Sequence, residues 1–408
     1  MESKDKHILV FNRSFWPDIE ATGQFLTELC EQLAKIYKVT VITGRSYYVQ
    51  KENFRLGRLC CKELFNDIEI LRVRHTRFWK GSLSGRIINW LTYSILAFIV
   101  ALKIKPKIII ACTDPPFLGI IAMVLGRLKS IPFIYNCRDL YPDTALEIGR
   151  LKHGFISYIF DYFNRKAFYK ASFVVSLGLS MEDRLKSKGV SPDRLRVIPD
   201  WVDTSIIKPI AKIDNPLLEK FGLKNKFIIM YSGNIGLSQD FSPILQSIAM
   251  IRDLSSFYLV FIGEGAGKKH LKNEVKLLGL DNVLFFPYQP RDTLSLSLGM
   301  ADLHIVPLKK GMAGASVPSK VYGIMAVARP YLAITDKESE PARLAEECGC
   351  GLWVMPDDIE AIAQAFSWAI SHPDELERMG KNGREAAVTK FDKEVVIKEW
   401  FEVLDSFN

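Results

Sequence analysis

Short runs of β-branched and aromatic residues alternate with helix-patterned stretches from one end of this chain to the other. That alternation restricts the fold more than any other feature, because strands separated by helices pair in parallel and need a helix layer on each face of the sheet. In the first half the expected strands are 8–12, 39–43, 107–112, 133–137, 173–177 and 196–199. The second half repeats the theme at 227–232, 258–263, 283–287, 303–307, 331–335 and 351–355. Between Asp200 and Lys226 the pattern lapses into Trp-Val-Asp-Thr, Pro209 and Pro216, which reads as a connection.

A chain of 408 residues exceeds the usual size of one domain. We therefore expect an α/β protein with two Rossmann-like domains: 1–203, a linker over 204–226, and 227–394. An amphipathic stretch at 395–407 has no strand after it and is expected to cross back to the first domain. The polar start, Met1-Glu-Ser-Lys-Asp-Lys, is not a signal peptide. Seven cysteines form no C-x-x-C pair, and several lie in apolar runs, which fits reduced core thiols in a cytoplasmic protein. Scattered histidines and the small Cys348-Gly-Cys350 cluster give no metal site.

The net charge of +8 is uneven, with 31 basic against 20 acidic residues up to Ser205 and 23 against 26 thereafter. Thirteen basic and four acidic residues fall between 45 and 107, interleaved with Phe54, Phe78, Trp79 and Trp90. Such a stretch suits nucleic acid or an anionic membrane. The apolar segment 87–102, flanked by Arg86, Lys103 and Lys105, favours the membrane. At sixteen residues it is short of the roughly 20 that span a bilayer. Two readings remain open, an interfacial helix and a crossover helix of the α/β domain.

Ligands of open α/β sheets lie at the carboxyl ends of strands, so the loops that follow strands carry the function. The run Gly311-Met-Ala-Gly-Ala-Ser-Val-Pro-Ser-Lys-Val-Tyr-Gly-Ile-Met-Ala326 passes from a strand through small residues into a helix. Glycines free the backbone amides, Pro318 presets the helical φ, and Lys320 adds a cation, a combination suited to a diphosphate. An ordinary strand–helix turn is the alternative. Further glycine loops follow other strands: Gly23 after 12–22, Gly233 and Asn234 after 227–232, and Gly263-Glu-Gly-Ala-Gly267 after 258–263. None is G-x-G-x-x-G placed after the first strand, so the nicotinamide fingerprint is missing.

Taken together, Phe15-Trp-Pro-Asp-Ile-Glu-Ala-Thr-Gly23, Arg138-Asp-Leu-Tyr-Pro-Asp143, Val197-Ile-Pro-Asp-Trp-Val-Asp203, Ser232-Gly-Asn-Ile-Gly-Leu237, Pro307-Leu-Lys-Lys310 and Ser316-Val-Pro-Ser-Lys-Val-Tyr-Gly323 resemble the retaining GT-B glycosyltransferases of family 4. The resemblance covers essentially the whole chain and is nearest to the WbuB/WcaI-like branch, which builds O-antigen, colanic acid and related polysaccharides. It implies two Rossmann-like domains facing each other across a cleft, a UDP- or GDP-sugar donor (N-acetyl-fucosamine and fucose are both compatible) and a polyprenyl-diphosphate-linked saccharide acceptor. It also implies a metal-independent enzyme without cofactor, peripheral on the inner face of the plasma membrane, with no nucleic-acid partner. Two departures stand out. The family's pair of glutamates, eight positions apart, falls on Ala315 and Gly323, and its phosphate-binding Arg and Lys fall on Asn234 and Gln239.

These phrases assign the expected site. The donor diphosphate goes to Lys320 and Ser319 with backbone amides of Gly314, Ala315, Ser316 and Val317, together with Gly23, Gly233 and Asn234. The base goes to Tyr288 and Gln289. Tyr322 lies near the ribose or in the core, and Glu264 touches a sugar hydroxyl or solvent. On the acceptor side are Thr22, Arg138 and Asp139, where Asp139 either orients or deprotonates an acceptor hydroxyl or caps a turn. A nucleotide-sugar 2-epimerase and a non-catalytic nucleotide-sugar scaffold share the fold and stay open as alternatives.

Overall fold

The computed structural model describes residues 6–18, 20–46, 59–78, 83–254 and 257–407. Ile19, Lys51, Phe54 and Trp79, which belong to segments singled out above, lie outside the described residues. The chain divides into two units. One comprises residues up to Leu146, Leu151–Ile198 and the chain from Ile397 onward; the other comprises Glu147–Arg150 and Pro199–Val396.

In chain order the strands of the first unit are β1 (His7–Phe11), β2 (Lys38–Thr43), β3 (Cys60–Phe65), β4 (Ile68–Val73), β5 (Ile108–Ala111), β6 (Phe133–Asn136), β7 (Phe173–Ser176) and β8 (Leu195–Val197). They form one sheet ordered β3-β4-β2-β1-β5-β6-β7-β8, parallel except for the antiparallel pair β3–β4. Runs such as Ile108-Ile-Ile-Ala111 are buried at every position because helices cover both faces, so they show no period-two alternation. The hairpin β3–β4 is an addition to the expected strands. Its turn, Asn66-Asp67, has φ of 46° and 63°, the left-handed pair that matches strand twist in a two-residue hairpin.

The apolar segment at 87–102 lies in a 19-residue helix, Leu83–Ala101. Tyr93, Ala97 and Ala101 on one face are fully buried, and the Tyr93 hydroxyl donates to the Ile42 carbonyl at 2.8 Å. It is a crossover helix between β4 and β5, and its other face, with Ile88, Leu91 and Ile95, is exposed. The C-terminal helix Lys393–Asp405 straddles the division between units. Within the first unit its far end meets the sheet layer, where Tyr37 donates to Asp405 at 3.3 Å and the rings of Phe407 and Phe173 lie 5.4 Å apart.

The second unit contains β9 (Phe227–Ser232), β10 (Phe257–Ile262), β11 (Val283–Phe286), β12 (Leu303–Pro307), β13 (Tyr331–Ile334) and β14 (Gly351–Val354). All six are parallel in the order β11-β10-β9-β12-β13-β14. Strand order reverses between β9 and β12, as it does between β1 and β5 in the first unit. At such a reversal the connecting helices leave toward opposite faces, and the loops beyond the strand ends part to form a crevice.

Candidate functional site

In the second unit that crevice brings together residues far apart in sequence. β9 ends on Tyr231 and Ser232, followed at once by Gly233; β12 leads through residues 308–319 into the short helix Lys320–Ala326. The Lys320 ammonium lies 3.6 Å from the centroid of the Tyr231 ring, a close cation–π contact. A Cβ on Gly233 would fall 3.0 Å from Lys320 Nζ, and the φ of 141° at Gly233 favours glycine there. No carboxylate or hydrogen-bond partner reaches the Lys320 ammonium among the described residues. Burial without compensating charge pulls its pKa down to about 7, although its accessible surface is intermediate and not zero.

The two glycine loops interlock beneath this lysine. A Cβ on Gly263 would lie 2.0 Å from the Gly233 carbonyl oxygen, and one on Gly265 would lie 2.1 Å from that of Ile235. Three of the amides at 233–236 are consumed internally: Gly233 donates to Ile262 at 2.9 Å, Ile235 to Glu264 at 2.9 Å, and Gly236 to Gln239 Oε1 at 3.1 Å. The Gly233 amide is therefore not a phosphate donor, and Gln239 acts as a loop tie. Asn234 is the exposed residue of the loop, anchored by the Tyr231 hydroxyl donating to its carbonyl at 2.6 Å.

Other expected donor-site residues divide between crevice and core. Glu264 pairs with Lys268 at 2.6 Å and Tyr288 is half-exposed above the Glu264 carbonyl, at 3.5 Å. Gln289 donates to the Pro287 carbonyl at 2.9 Å. In the 311–319 loop Gly314 has φ of 69°, and the Ala315 amide already donates to the Met312 carbonyl at 3.0 Å. That engagement removes Ala315 from the amides available to a diphosphate. Val317 is buried, Ser316 is half-buried, and Ser319 precedes the helix without capping it through its side chain. Tyr322 is a core residue against Phe391, with ring centroids 5.0 Å apart. Asp357 pairs with Lys310 at 2.7 Å and Asp358 caps the helix Ile359–Ser371, so this acidic dipeptide is engaged structurally. His304 is buried, its Nε2–H donates to the Leu298 carbonyl at 3.0 Å, and burial lowers its pKa to about 3, which keeps it neutral.

The first unit has its own crevice at β1 and β5. Arg13, just past β1, makes a two-pronged ion pair with Asp114, at 3.1 and 3.0 Å, and its amide donates to the Asp114 carbonyl at 2.7 Å. Beside Asp114, the Thr113 hydroxyl accepts from the successive amides of Arg138 and Asp139, both at 3.1 Å, and so fixes the loop after β6. The Arg138 guanidinium lies 5.1 Å from the Phe25 ring centroid, and Asp139 is half-buried. Gly23 and Thr22 sit in the first turn of the helix Ala21–Leu33, where a Cβ on Gly23 would approach Ser14 Oγ to 2.8 Å. Asp18 is buried between the Ser46 hydroxyl at 2.6 Å and that of Ser14 at 3.2 Å, and burial raises its pKa.

Sequence reasoning missed the Arg13–Asp114 pair, Thr113 and the Ser14–Asp18–Ser46 cluster. The available signal was position: each follows a strand end, at 11, 43 or 111. Among the described residues no three of His, Cys, Asp or Glu gather as a metal site.

Comparison with known proteins supplies the family. Residues 22–206 match the family described as Glycosyltransferase Family 4, and residues 216–386 match Glycosyl transferases group 1. The chain is 27% identical over 406 residues to the putative colanic acid biosynthesis glycosyl transferase WcaI of Escherichia coli strain K12, covering 96% of this chain and 98% of that one. Among solved structures it resembles sucrose-phosphate synthase from Thermosynechococcus elongatus, with a TM-score of 0.78 at 16% identity and 98% of each chain covered. It also resembles HepE of Anabaena in complex with UDP and glucose, with a TM-score of 0.74 at 14% identity, covering 98% of this chain and 99% of that one. Two α/β units, each on a largely parallel sheet, with a family 4 match on the first and a group 1 match on the second, make this chain a GT-B glycosyltransferase.

Proposed function

We propose that this protein is a retaining glycosyltransferase of cell-surface polysaccharide biosynthesis. It moves a sugar from a UDP- or GDP-linked donor to a polyprenyl-diphosphate-linked saccharide at the inner face of the plasma membrane. The observation that carries the donor half is Lys320: a desolvated ammonium with no carboxylate partner, held over Tyr231 and against Gly233 at the switch point of the second unit. Breaking the anomeric C–O bond leaves negative charge on the departing β-phosphate. A preorganised cation in a low-dielectric site stabilises that charge as it develops.

Support for polysaccharide synthesis comes from the end-to-end similarity to WcaI, whose name assigns it to colanic acid biosynthesis. Nucleotide-sugar binding draws support from HepE, a protein of the same fold solved with UDP and glucose. On the acceptor side Asp139 is positioned by Thr113 to accept or orient the attacking hydroxyl, with Arg138 beside it. The epimerase alternative requires acid–base carboxylates and a histidine in the cleft. His304, whose titration feels the Lys320 charge, is buried and neutral.

The test is a panel of UDP- and GDP-sugars with and without a lipid-diphosphate acceptor. Acceptor-dependent nucleotide release is expected, and Lys320→Ala should lower it by about a hundredfold or more. Acceptor-independent sugar conversion would establish the epimerase instead, and undiminished transfer by Lys320→Ala at saturating donor would remove Lys320 from the mechanism.

A further inference from the structure

One face of the first unit is apolar where an ordinary protein surface is not. The crossover helices Leu83–Ala101, Leu118–Lys129 and Phe155–Lys170 lie side by side, the middle one touching both neighbours. The last of them buries only a narrow stripe, with Asn164, Ala167 and Phe168 inside. Its outer surface leaves Phe155 at 78%, Ile156 at 74% and Tyr158 at 71% exposed. Val124 and Leu128 are exposed on the middle helix, and Leu91 and Ile95 on the first. Single exposed apolar residues are ordinary; several on each of three adjoining helices mark an interaction surface.

Charge and aromatic placement identify the occupant. Asp161 is the single acidic residue within the three helices, and it is neutralised by Arg165 at 2.5 Å and Lys188 at 2.9 Å. Three of the six cations in these helices lie over aromatic rings: Lys166 is 4.4 Å from the Tyr162 centroid, Lys170 is 5.3 Å from that of Tyr169, and Arg86 is 5.3 Å from that of Trp90. Amphipathic rings with adjacent basic heads suit the headgroup boundary of a bilayer with anionic lipid. A second copy of the same face would set these cations against one another with no acid to pair them. The helix Leu83–Ala101 does not leave the sheet to span the bilayer, because Tyr93 anchors its inner side.

We propose that the outer face of these three helices is the bilayer-docking surface, with the aromatic helix Phe155–Lys170 seated among the headgroups of an anionic membrane. This rests on the reading of a lipid-linked acceptor, and adds to it which surface meets the membrane. The test uses the full chain and its Phe155→Ser/Ile156→Ser variant, at positions too exposed to hold the core together. Flotation with phosphatidylglycerol–phosphatidylcholine vesicles should show salt-sensitive binding by the parent chain. The variant should partition at least about tenfold less, since two large side chains no longer enter the boundary. Its transfer to a water-soluble acceptor analogue should remain at the parent rate.

Equal binding by variant and parent overturns this docking face while leaving the transferase reading intact. So does a parent chain that transfers sugar to the soluble analogue yet binds no vesicle. Sedimentation showing a parent dimer that the variant dissolves overturns it in favour of a second copy. Failure of the transferase reading would show separately, as absence of transfer by the parent chain to any lipid-diphosphate or soluble acceptor.

Discussion

Donor binding should fall as pH rises through neutrality, and the slope follows from Lys320. Burial lowers this lysine from 10.5 to about 7, because its ammonium has lost water and gained no carboxylate. A diphosphate at Nζ restores the missing partner and raises the bound-state pKa toward its ordinary value. Below pH 7 the proton is present in both states, so affinity is level. Above pH 7 binding must recruit a proton, and each unit weakens it by up to about tenfold until the bound-state pKa is reached. Between pH 7 and 9 the limit is roughly a hundredfold. Lys320 keeps some contact with solvent, which reduces the expectation to roughly thirtyfold, or about 2 kcal/mol.

A nucleotide sugar is the right titrant because its diphosphate is fully ionised throughout that range, so no phosphate titration overlaps that of Lys320. Calorimetry in buffers of differing ionisation enthalpy should register uptake of about half a proton per donor at pH 7, approaching one at pH 8 and above. Arginine does not deprotonate in this range, so Lys320→Arg should flatten the profile. Lys320→Ala should flatten it too, at much weaker affinity. A level Kd from pH 7 to 9 in the parent chain, or an unchanged slope in Lys320→Ala, would refute the argument.

The same lysine strains the fold. Its unfolded form holds a proton up to 10.5 while the folded form releases it above about 7, so stability should climb with pH across that window. Lys320→Met should therefore stabilise the ligand-free protein most at or below pH 7, by on the order of 1–2 kcal/mol, with the gain vanishing toward pH 10.5 in scanning calorimetry. Gly263→Ala places a Cβ 2.0 Å from the Gly233 carbonyl at a φ of 149°. It should cost about 2–3 kcal/mol in urea denaturation and abolish donor binding. Asp139→Asn should lower kcat by about a hundredfold with donor KM unchanged; a parent-like kcat would reduce Asp139 to a turn residue.

The twelve expected strands are present because most are short runs rich in apolar and β-branched residues, too short for a core helix. The hairpin β3–β4 escaped for a physical reason. Its residues were counted as charge within the basic stretch, yet Arg72 is buried in β4 and spends its guanidinium on Glu63, at 2.7 Å, and on the Trp16 carbonyl. Charge counted along a sequence does not distinguish a solvated cation from a structural one. Thr113 and Arg13 were hidden similarly, because their partners stand 25 and 101 positions away and meet only through strand order. Lys320 was visible as a cation in a small-residue loop. Its loss of water was not, since Tyr231 arrives from another strand.

The absent glutamates and the solitary lysine are two sides of one arrangement. A carboxylate at position 323 would sit three residues beyond Lys320 on the same helix face, within ion-pairing reach. It would return Lys320 toward its ordinary pKa and occupy the ammonium before any phosphate arrived. With Gly323 there instead, Lys320 stays undercharged and unpaired, and in low dielectric one such cation acts more strongly on an incoming diphosphate than a solvated cation does. That accounts for a crevice whose usual cation positions hold Asn234 and Gln239, with Gln239 turned inward onto Gly236. In Gly323→Glu the added Cβ meets Leu298 Cδ1 at 3.4 Å, at the edge of ordinary van der Waals contact. The substitution should abolish the pH dependence of donor binding between 7 and 9 and weaken affinity at pH 7 by about tenfold. An unaltered pH profile in Gly323→Glu would mean that Lys320 is insulated from its own helix face, and the pairing argument would fall.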